Sequence, residues 1–197
     1  TMKQVAKLLL ASLACIALFG CAHPITLNPD LATIQAKGSP LIDKQVGFHI
    51  SDASKAQEVT TPGGGGDKVR YFPYRDLEPG IYKALTAVFR SVSKVKDPQD
   101  LESLRTSGIS LLIVPEITTT SASPSPFTWP PTQFSVTSAC TVTDAAGKPV
   151  RSFSVTGNGK AEFDEFKSNF SLAAVRASND ALSRLVTVLG ESPELRK

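Results

Sequence analysis

Histidine, cysteine and tryptophan are nearly missing from this chain, and each shortage removes a class of chemistry. Its 197 residues hold two histidines, three cysteines and one tryptophan. His23 and His49 have no second His, Cys or carboxylate at ligand spacing, whereas zinc and related metals want three or four converging ligands. No metal site is expected, and no other cofactor. Cys15 and Cys21 fall within the first 21 residues. That leaves Cys140 as the one thiol of the folded part and rules out an internal disulfide framework. Cys140 sits in an alternating apolar segment and reads as a small buried hydrophobe, because a catalytic thiol needs an electropositive, partly exposed setting.

Charge of one sign is lacking as well. The formal net charge of +3 falls to about +1 once Lys3 and Lys7 are set aside, far from the basic footprint of a nucleic-acid binder. No serine lies in a Gly-x-Ser-x-Gly elbow. The tract Gly63-Gly64-Gly65-Gly66 is followed by Asp67-Lys68-Val69, which supplies neither the hydroxyl nor the helix of a phosphate-binding loop. Glu162, Asp164 and Glu165 read as a solvated acidic connector rather than a glycosidase pair. A Ser–His–Asp arrangement could recruit only His49. The chain is therefore expected not to be an enzyme.

Long apolar runs are also few. The first, Leu8 to Phe19, is broken only by Ser12 and is too short for a bilayer span, which takes about 20 residues as a helix. Preceded by Lys3 and Lys7, it has the layout of a secretory signal. Leu18-Phe19-Gly20-Cys21 resembles the lipobox of bacterial lipoproteins, with Phe19 where a smaller residue is usual. The resemblance implies cleavage before Cys21, with residues 1–20 as signal peptide, and palmitate-type acyl chains on Cys21. Each buried methylene adds about 0.8 kcal/mol, so several chains anchor stably where one is marginal. Ala22, rather than Asp, follows the cysteine. In lipoproteins of enteric-type bacteria that implies the periplasmic face of the outer membrane.

From residue 21 to 43 the chain reads as lipidated cysteine and tether, punctuated by His23-Pro24, Asn28-Pro29 and Gly38-Ser39-Pro40. Within it Ile25, Leu27, Leu31, Ile34, Leu41 and Ile42 are not solvating residues. Residues 44–197 read as one periplasmic domain. Val46–Ser51 and Val69–Tyr74 are predicted as two strands of a long hairpin with the glycine tract near its tip. A helix begins near Asp76 to Glu78, with Pro79 in its first turn, and its apolar face runs Ile81, Leu85, Val88, Phe89, Val92, Val95. A shorter helix covers Pro98–Arg105. Ile109–Ile117 reads as a central strand buried on both faces, and Thr118–Pro131 as an irregular, proline-stiffened loop. Phe134–Thr143 and Val150–Gly157 form a hairpin around Asp144–Lys148. A helix from Ser168 to Leu189 closes the chain, with Ala173, Ala174, Ala177 and Ala181 allowing close packing.

These elements predict an α+β fold: a single mostly antiparallel sheet with two main amphipathic helices on one face, a two-layer sandwich. The layout resembles uncharacterised YajG-like periplasmic lipoproteins. The strand Ile109–Ile117 after a helix, the Asp144…Gly147 turn and the Gly157-x-Gly159 link into an Ala-rich helix carry that resemblance. It implies a non-catalytic envelope lipoprotein.

The favoured function is a binding or assembly module for an envelope protein or glycan. Its contacts are assigned to Phe127 and Trp129 in the proline-rich loop and to Gly63, Gly64, Gly65, Gly66 and Arg70 at the hairpin. Trp129 has a second reading, as a plug for the core. The alternative function is a carrier of a small apolar ligand or lipid, held between the helices and the sheet. An envelope hydrolase using His49 is a third, less favoured reading.

Overall fold

The structure, a computed structural model, describes residues 22–36, 38, 40–62, 68–124 and 132–197. In chain order the elements are β1 (Ala22–Pro24), β2 (Ile42–Phe48), α1 (Asp52–Ala56), β3 (Val59–Pro62), β4 (Lys68–Tyr71) and α2 (Pro73–Val88). They continue with β5 (Phe89–Lys94), α3 (Leu101–Thr106), β6 (Leu111–Ala122), β7 (Gln133–Asp144), β8 (Pro149–Lys160), α4 (Phe163–Phe166) and α5 (Leu172–Gly190).

The expected single antiparallel sheet is not what forms. There are two sheets, one of order β1-β4-β3 and one of order β5-β2-β6-β7-β8. In the larger sheet β2 pairs parallel with both β5 and β6, whereas β6–β7 and β7–β8 are antiparallel. In the smaller sheet β1 pairs parallel with β4. The reason lies at Val88. The helix stops there and Phe89 turns extended, with φ −108° and ψ 151°. Residues assigned to the last turns of one helix instead form β5, a parallel edge strand reached by a crossover through α2. Such crossovers are what parallel pairing requires. The start of that helix differs too: it begins at Pro73, which places Pro79 inside it rather than in its first turn.

Parallel and antiparallel halves are covered differently, as their wiring dictates. Against one face lie α2 and α5, packed on each other and on the sheet. Leu77, Ile81, Leu85, Leu182, Leu185 and Leu189 join the sheet's inward residues in one core. On the other face α3 covers only the parallel half, where Leu104, Ile109 and Leu112 form a second small cluster with Val95 and Leu101 packed on it. A Cβ at Gly47 would lie 2.6 Å from Val95 Cγ2, so only glycine lets that cluster close over β2. Beyond α3's reach β6 alternates, with Val114, Glu116, Thr118 and Thr120 exposed. It is thus buried on both faces only at its start, and the segment from Thr118, expected to be a loop, extends the strand to Ala122.

The hairpin partner of β4 is β3, not the strand containing Val46–Phe48. The stretch after Ala22 is built into the fold: Ile25, Leu27 and Ile34 are buried, while Leu31 and Leu41 remain exposed. It runs along the seam between α2 and α5. Thr26 N–H donates to Ser171 Oγ at 3.0 Å, Leu27 N–H to Asp76 Oδ2 at 3.1 Å and Asp30 N–H to Asn179 Oδ1 at 2.9 Å.

Candidate functional site

Three consecutive twelve-residue strands, β6 to β8, are the longest among the described residues. At about 3.3 Å per residue each is roughly 40 Å long. Because side chains alternate, one set enters the core and the other faces away from α5. The inward set of β7 is Phe134, Val136, Ser138, Cys140 and Val142, all buried. The outward set is small and hydroxylated. Register places Thr137 between Thr118 and Thr156, Ser135 between Thr120 and Asn158, and Thr141 between Val114 and Ser152. Thr120 Oγ1 and Ser135 Oγ lie 2.6 Å apart, and Thr137 Oγ1 and Thr156 Oγ1 2.9 Å. Cross-strand hydroxyl pairs of this kind hold neighbouring side chains in register. Glu116 and Lys160 are the charged side chains in this outward set.

Among the described residues no α-helix packs over this surface, and two depressions lie on it. One of about 410 Å³ is lined by Thr120, Gln133, Ser135, Asn158 and Lys160. Another of about 440 Å³ lies between Glu116, Ala139, Thr141 and Ser154. The free edge of β8 is closed by side chains of α5. Asn158 N–H donates to Asp180 Oδ2 at 2.9 Å, and Arg176 Nη1 donates to the Lys160 carbonyl at 2.7 Å. An edge capped in this way does not template another strand. What is left for a partner here is the face, not the edge.

On the opposite side a depression of about 370 Å³ lies between Gln35, Ala36, Ser183 and Thr187, but α5 and β8 themselves meet without a gap. A Cβ built on Gly157 would stand 2.1 Å from Ala181 N, and one on Gly159 would stand 2.0 Å from the Ala173 carbonyl oxygen. Helix and strand therefore touch backbone to backbone, which leaves no space for a ligand between α5 and β8 at these two positions. The stripe of small residues serves this approach.

His49 lies in a depression of about 510 Å³ with Ser51, Asp52, Lys55 and Glu78. Its Nδ1 is 2.8 Å from the Val95 carbonyl oxygen. A carbonyl only accepts, so Nδ1 carries a proton there. Ser51 Oγ is engaged with Ser54, both its hydroxyl at 2.8 Å and its N–H at 3.0 Å. Asp52 pairs with Lys55 at 2.8 Å, a bond that holds its carboxyl below the usual range. The serine and the carboxylate are thus bound to neighbours other than the imidazole. Cys140 is buried, and desolvation pushes its thiol up to about 11, the opposite of nucleophile activation. Among the described residues no group of three or more His, Cys, Asp or Glu side chains converges as metal ligands would. No helix among them is long and apolar enough to cross a membrane.

Of the residues singled out from sequence, Cys21, Gly63, Gly64, Gly65, Gly66, Phe127 and Trp129 lie outside the described residues. Arg70 is exposed on β4, the middle strand of the smaller sheet, and its carbonyl accepts from Ile25 N–H at 3.0 Å. The flanks of the glycine tract and of the aromatic loop come together. Ser121 Oγ donates to the Pro62 carbonyl at 2.7 Å and lies 2.6 Å from Thr61 Oγ1. Ala22 pairs with Lys68 at the same end. The hydroxyl face was not singled out from sequence. Its signal was present as the polar half of the alternation in Phe134–Thr143.

No family model matches this chain, and no curated protein does. Among solved structures it is similar to a protein of Xanthomonas campestris assigned to DUF330. The two are 12% identical over 87% of this chain and 91% of that one, with a TM-score of 0.49. It is also similar to the PelC dodecamer from Paraburkholderia phytofirmans, 12% identical over 80% and 95% of the chains at a TM-score of 0.45. A third is a minor lipoprotein from Acinetobacter baumannii, 12% identical over 78% and 94% at 0.39. The structural neighbours of this chain thus include lipoproteins of Gram-negative bacteria.

Proposed function

We propose that this chain is an envelope lipoprotein held at the periplasmic face of the outer membrane by acyl chains on Cys21. There it acts without catalysis as a binding module for an envelope protein or glycan, and the open face of β6, β7 and β8 is its binding surface. One observation carries the reading: three strands of twelve residues present paired hydroxyls on a face that no α-helix covers among the described residues. Short Ser and Thr side chains have little rotamer freedom to lose on binding and offer both donors and acceptors. A nearly uncharged face also avoids the desolvation cost that buried ions impose. The address is supported by Leu18-Phe19-Gly20-Cys21 and the apolar run before it.

The test is site-specific photocrosslinking in cells that make the acylated protein. A photoreactive residue at Thr137 reports on the sheet face, and one at Lys83, exposed on α2, reports on the helical side. A discrete adduct from position 137 that is missing from position 83 is expected. Adducts at neither position, or the same adducts at both, would remove the sheet face as a binding surface.

A further inference from the structure

We propose that the end of the molecule bearing Phe163 and Phe170 rests in the lipid–water interface of the membrane that holds Cys21. This rests on the lipoprotein reading above and adds to it a surface and an orientation.

The argument begins with chain length. Ala22 is already paired with Lys68 in β1, and consecutive Cα atoms are about 3.8 Å apart. An acylated Cys21 therefore leaves no spacer between lipid and fold, so the bilayer surface must meet the end of the domain where β1 starts.

Strand register identifies that end. Lys68 pairs with Pro62, Ser121 bonds to Pro62, and Ala122 pairs with Gln133, which pairs with Lys160. Helix α4 begins three residues after Lys160. Ser171, directly after Phe170, accepts the Thr26 N–H. The start of β1, the end of β8, α4 and the start of α5 thus share one end.

Both exposed phenylalanines among the described residues lie here, Phe163 at 59% and Phe170 at 47% exposure. Roughly half of each residue's surface faces solvent at that exposure. The ring of Phe163 packs edge-on to Phe166 at 5.1 Å, which fixes it outward on a buried neighbour.

Charge at this end is arranged not to oppose insertion. Each acid around α4 has its own cation: Glu162 with Lys160 at 2.7 Å, Asp164 with Lys167 at 2.7 Å, Glu165 with Arg176 at 2.7 Å. Lys167 Nζ also stands 4.7 Å from the Phe163 ring centre. Lysine stems can lie along an apolar boundary with their ammonium groups in water. With the acids neutralised locally, apolar contact supplies most of the docking, and the exposed Lys68 and Arg70 add to it. It therefore persists at salt concentrations that release a polybasic patch.

The experiment uses the acylated protein in phosphatidylethanolamine–phosphatidylglycerol vesicles carrying doxyl-labelled lipid. Cys140 is buried and Cys21 is acylated, so Ser168→Cys supplies one reactive thiol, between the two phenylalanines, for an environment-sensitive fluorophore. Lys83→Cys, on α2 next to Tyr82 and so at the Phe48 end of the sheet, is the control. Quenching several-fold stronger at position 168 than at position 83 is expected. It should persist at high salt and fall to the level of position 83 when Phe163→Ser and Phe170→Ser are added. Equal quenching at the two positions, or quenching indifferent to the serine changes, overturns the docking. Mass spectrometry of the Cys21 peptide separates the two ideas. An acylated peptide with no quenching at 168 defeats the docking alone, whereas an unmodified Cys21 defeats the lipoprotein reading and the docking with it.

Discussion

Leu27 N–H donates to Asp76 Oδ2 at 3.1 Å, and both residues are buried. One carboxylate in the first turn of α2 thereby fixes the strap that runs from Ala22 across the seam between the two long helices. Its place also suits the helix, whose N-terminus favours negative charge. Asp76→Ala leaves the Leu27 donor without this partner in a place closed to water, a change that costs about 1–3 kcal/mol. Urea unfolding should show that loss. Asp76→Asn keeps an acceptor and should lose distinctly less. Equal midpoints for all three proteins would mean that the strap is held by its apolar side chains alone.

Where α5 meets β8, Gly159 and Gly157 have no room for a side chain. The intruding Cβ would strike the Ala173 carbonyl oxygen at 2.0 Å and Ala181 N at 2.1 Å, backbone atoms that cannot rotate aside. Gly159→Ala should destabilise by about 3 kcal/mol, the upper part of the range for overpacked sites. Gly190, at the other end of the same helix, meets nothing within 4 Å. Gly190→Ala should stabilise by about 0.4–1 kcal/mol, through the lower entropy of the unfolded chain. Thermal unfolding of the two variants should therefore move in opposite directions.

Which parts of this fold could be read in advance follows from how local their causes are. The β7–β8 hairpin declares itself through period-two alternation and a turn that closes on its own atoms. Asp144 Oδ1 accepts from Ala146 N–H and Lys148 N–H, both at 2.9 Å, and Gly147 takes φ 78°. Helix α5 declares itself through its apolar stripe. Strand β5 does not, because Leu85, Val88, Phe89, Val92 and Val95 are spaced as a helix would space them. Only the parallel partner β2, some forty residues earlier, makes Phe89–Lys94 extended. Missing that strand hid both parallel pairings of the larger sheet, and with them the division of that sheet into a half covered on both faces and a half covered on one. The hydroxyl face went unread for a related reason. Alternating Ser and Thr looks like any solvated strand face until the structure shows that no α-helix among the described residues covers it.

Cys140 provides a chemical check on burial. Its thiol is pushed up to about 11 by desolvation, with Ser138 Oγ 3.5 Å away. At pH 8 the thiolate fraction is then well under one per cent, since each unit of pKa above the pH costs about tenfold. Iodoacetamide labelling of Cys140, followed by peptide mass spectrometry, should be negligible in the native protein and complete in denaturant. Rapid native labelling would require an opening of the sheet that this packing does not provide.

Glu165 links α4 to α5 through a bidentate pair with Arg176, at 2.9 and 2.7 Å. It also accepts the Glu162 N–H at 2.9 Å. First the guanidinium and then the backbone donor hold its carboxyl down at about 2, from an ordinary 4.5. A depressed folded-state value means that the contribution is complete above the unfolded value and disappears as pH falls from about 4.5 toward 2. The pair is exposed, so its size is modest. Melting curves of the wild type should lie above those of Glu165→Gln at neutral pH, and the two should converge between pH 4.5 and 2. A gap that stays constant down to pH 2 would show that the glutamine disturbs packing rather than charge.

A substitution at Thr137 separates binding from folding. Its side chain points away from the core between Thr118 and Thr156 and pairs with the Thr156 hydroxyl. Thr137→Arg removes that hydroxyl pair and places a long cation at the middle of the open face. Away from caps, cores and buried networks such changes stay within about 0.5 kcal/mol, so the melting temperature should hardly move. Thr137→Val, nearly the same shape without the hydroxyl, tests chemistry rather than bulk. If the face binds a partner through its hydroxyls, both variants lose the crosslinked adduct while folding and membrane association persist. If only Thr137→Arg loses it, shape and not hydrogen bonding governs the contact, which favours a protein over a glycan. Should both retain it, the binding surface lies elsewhere on the molecule.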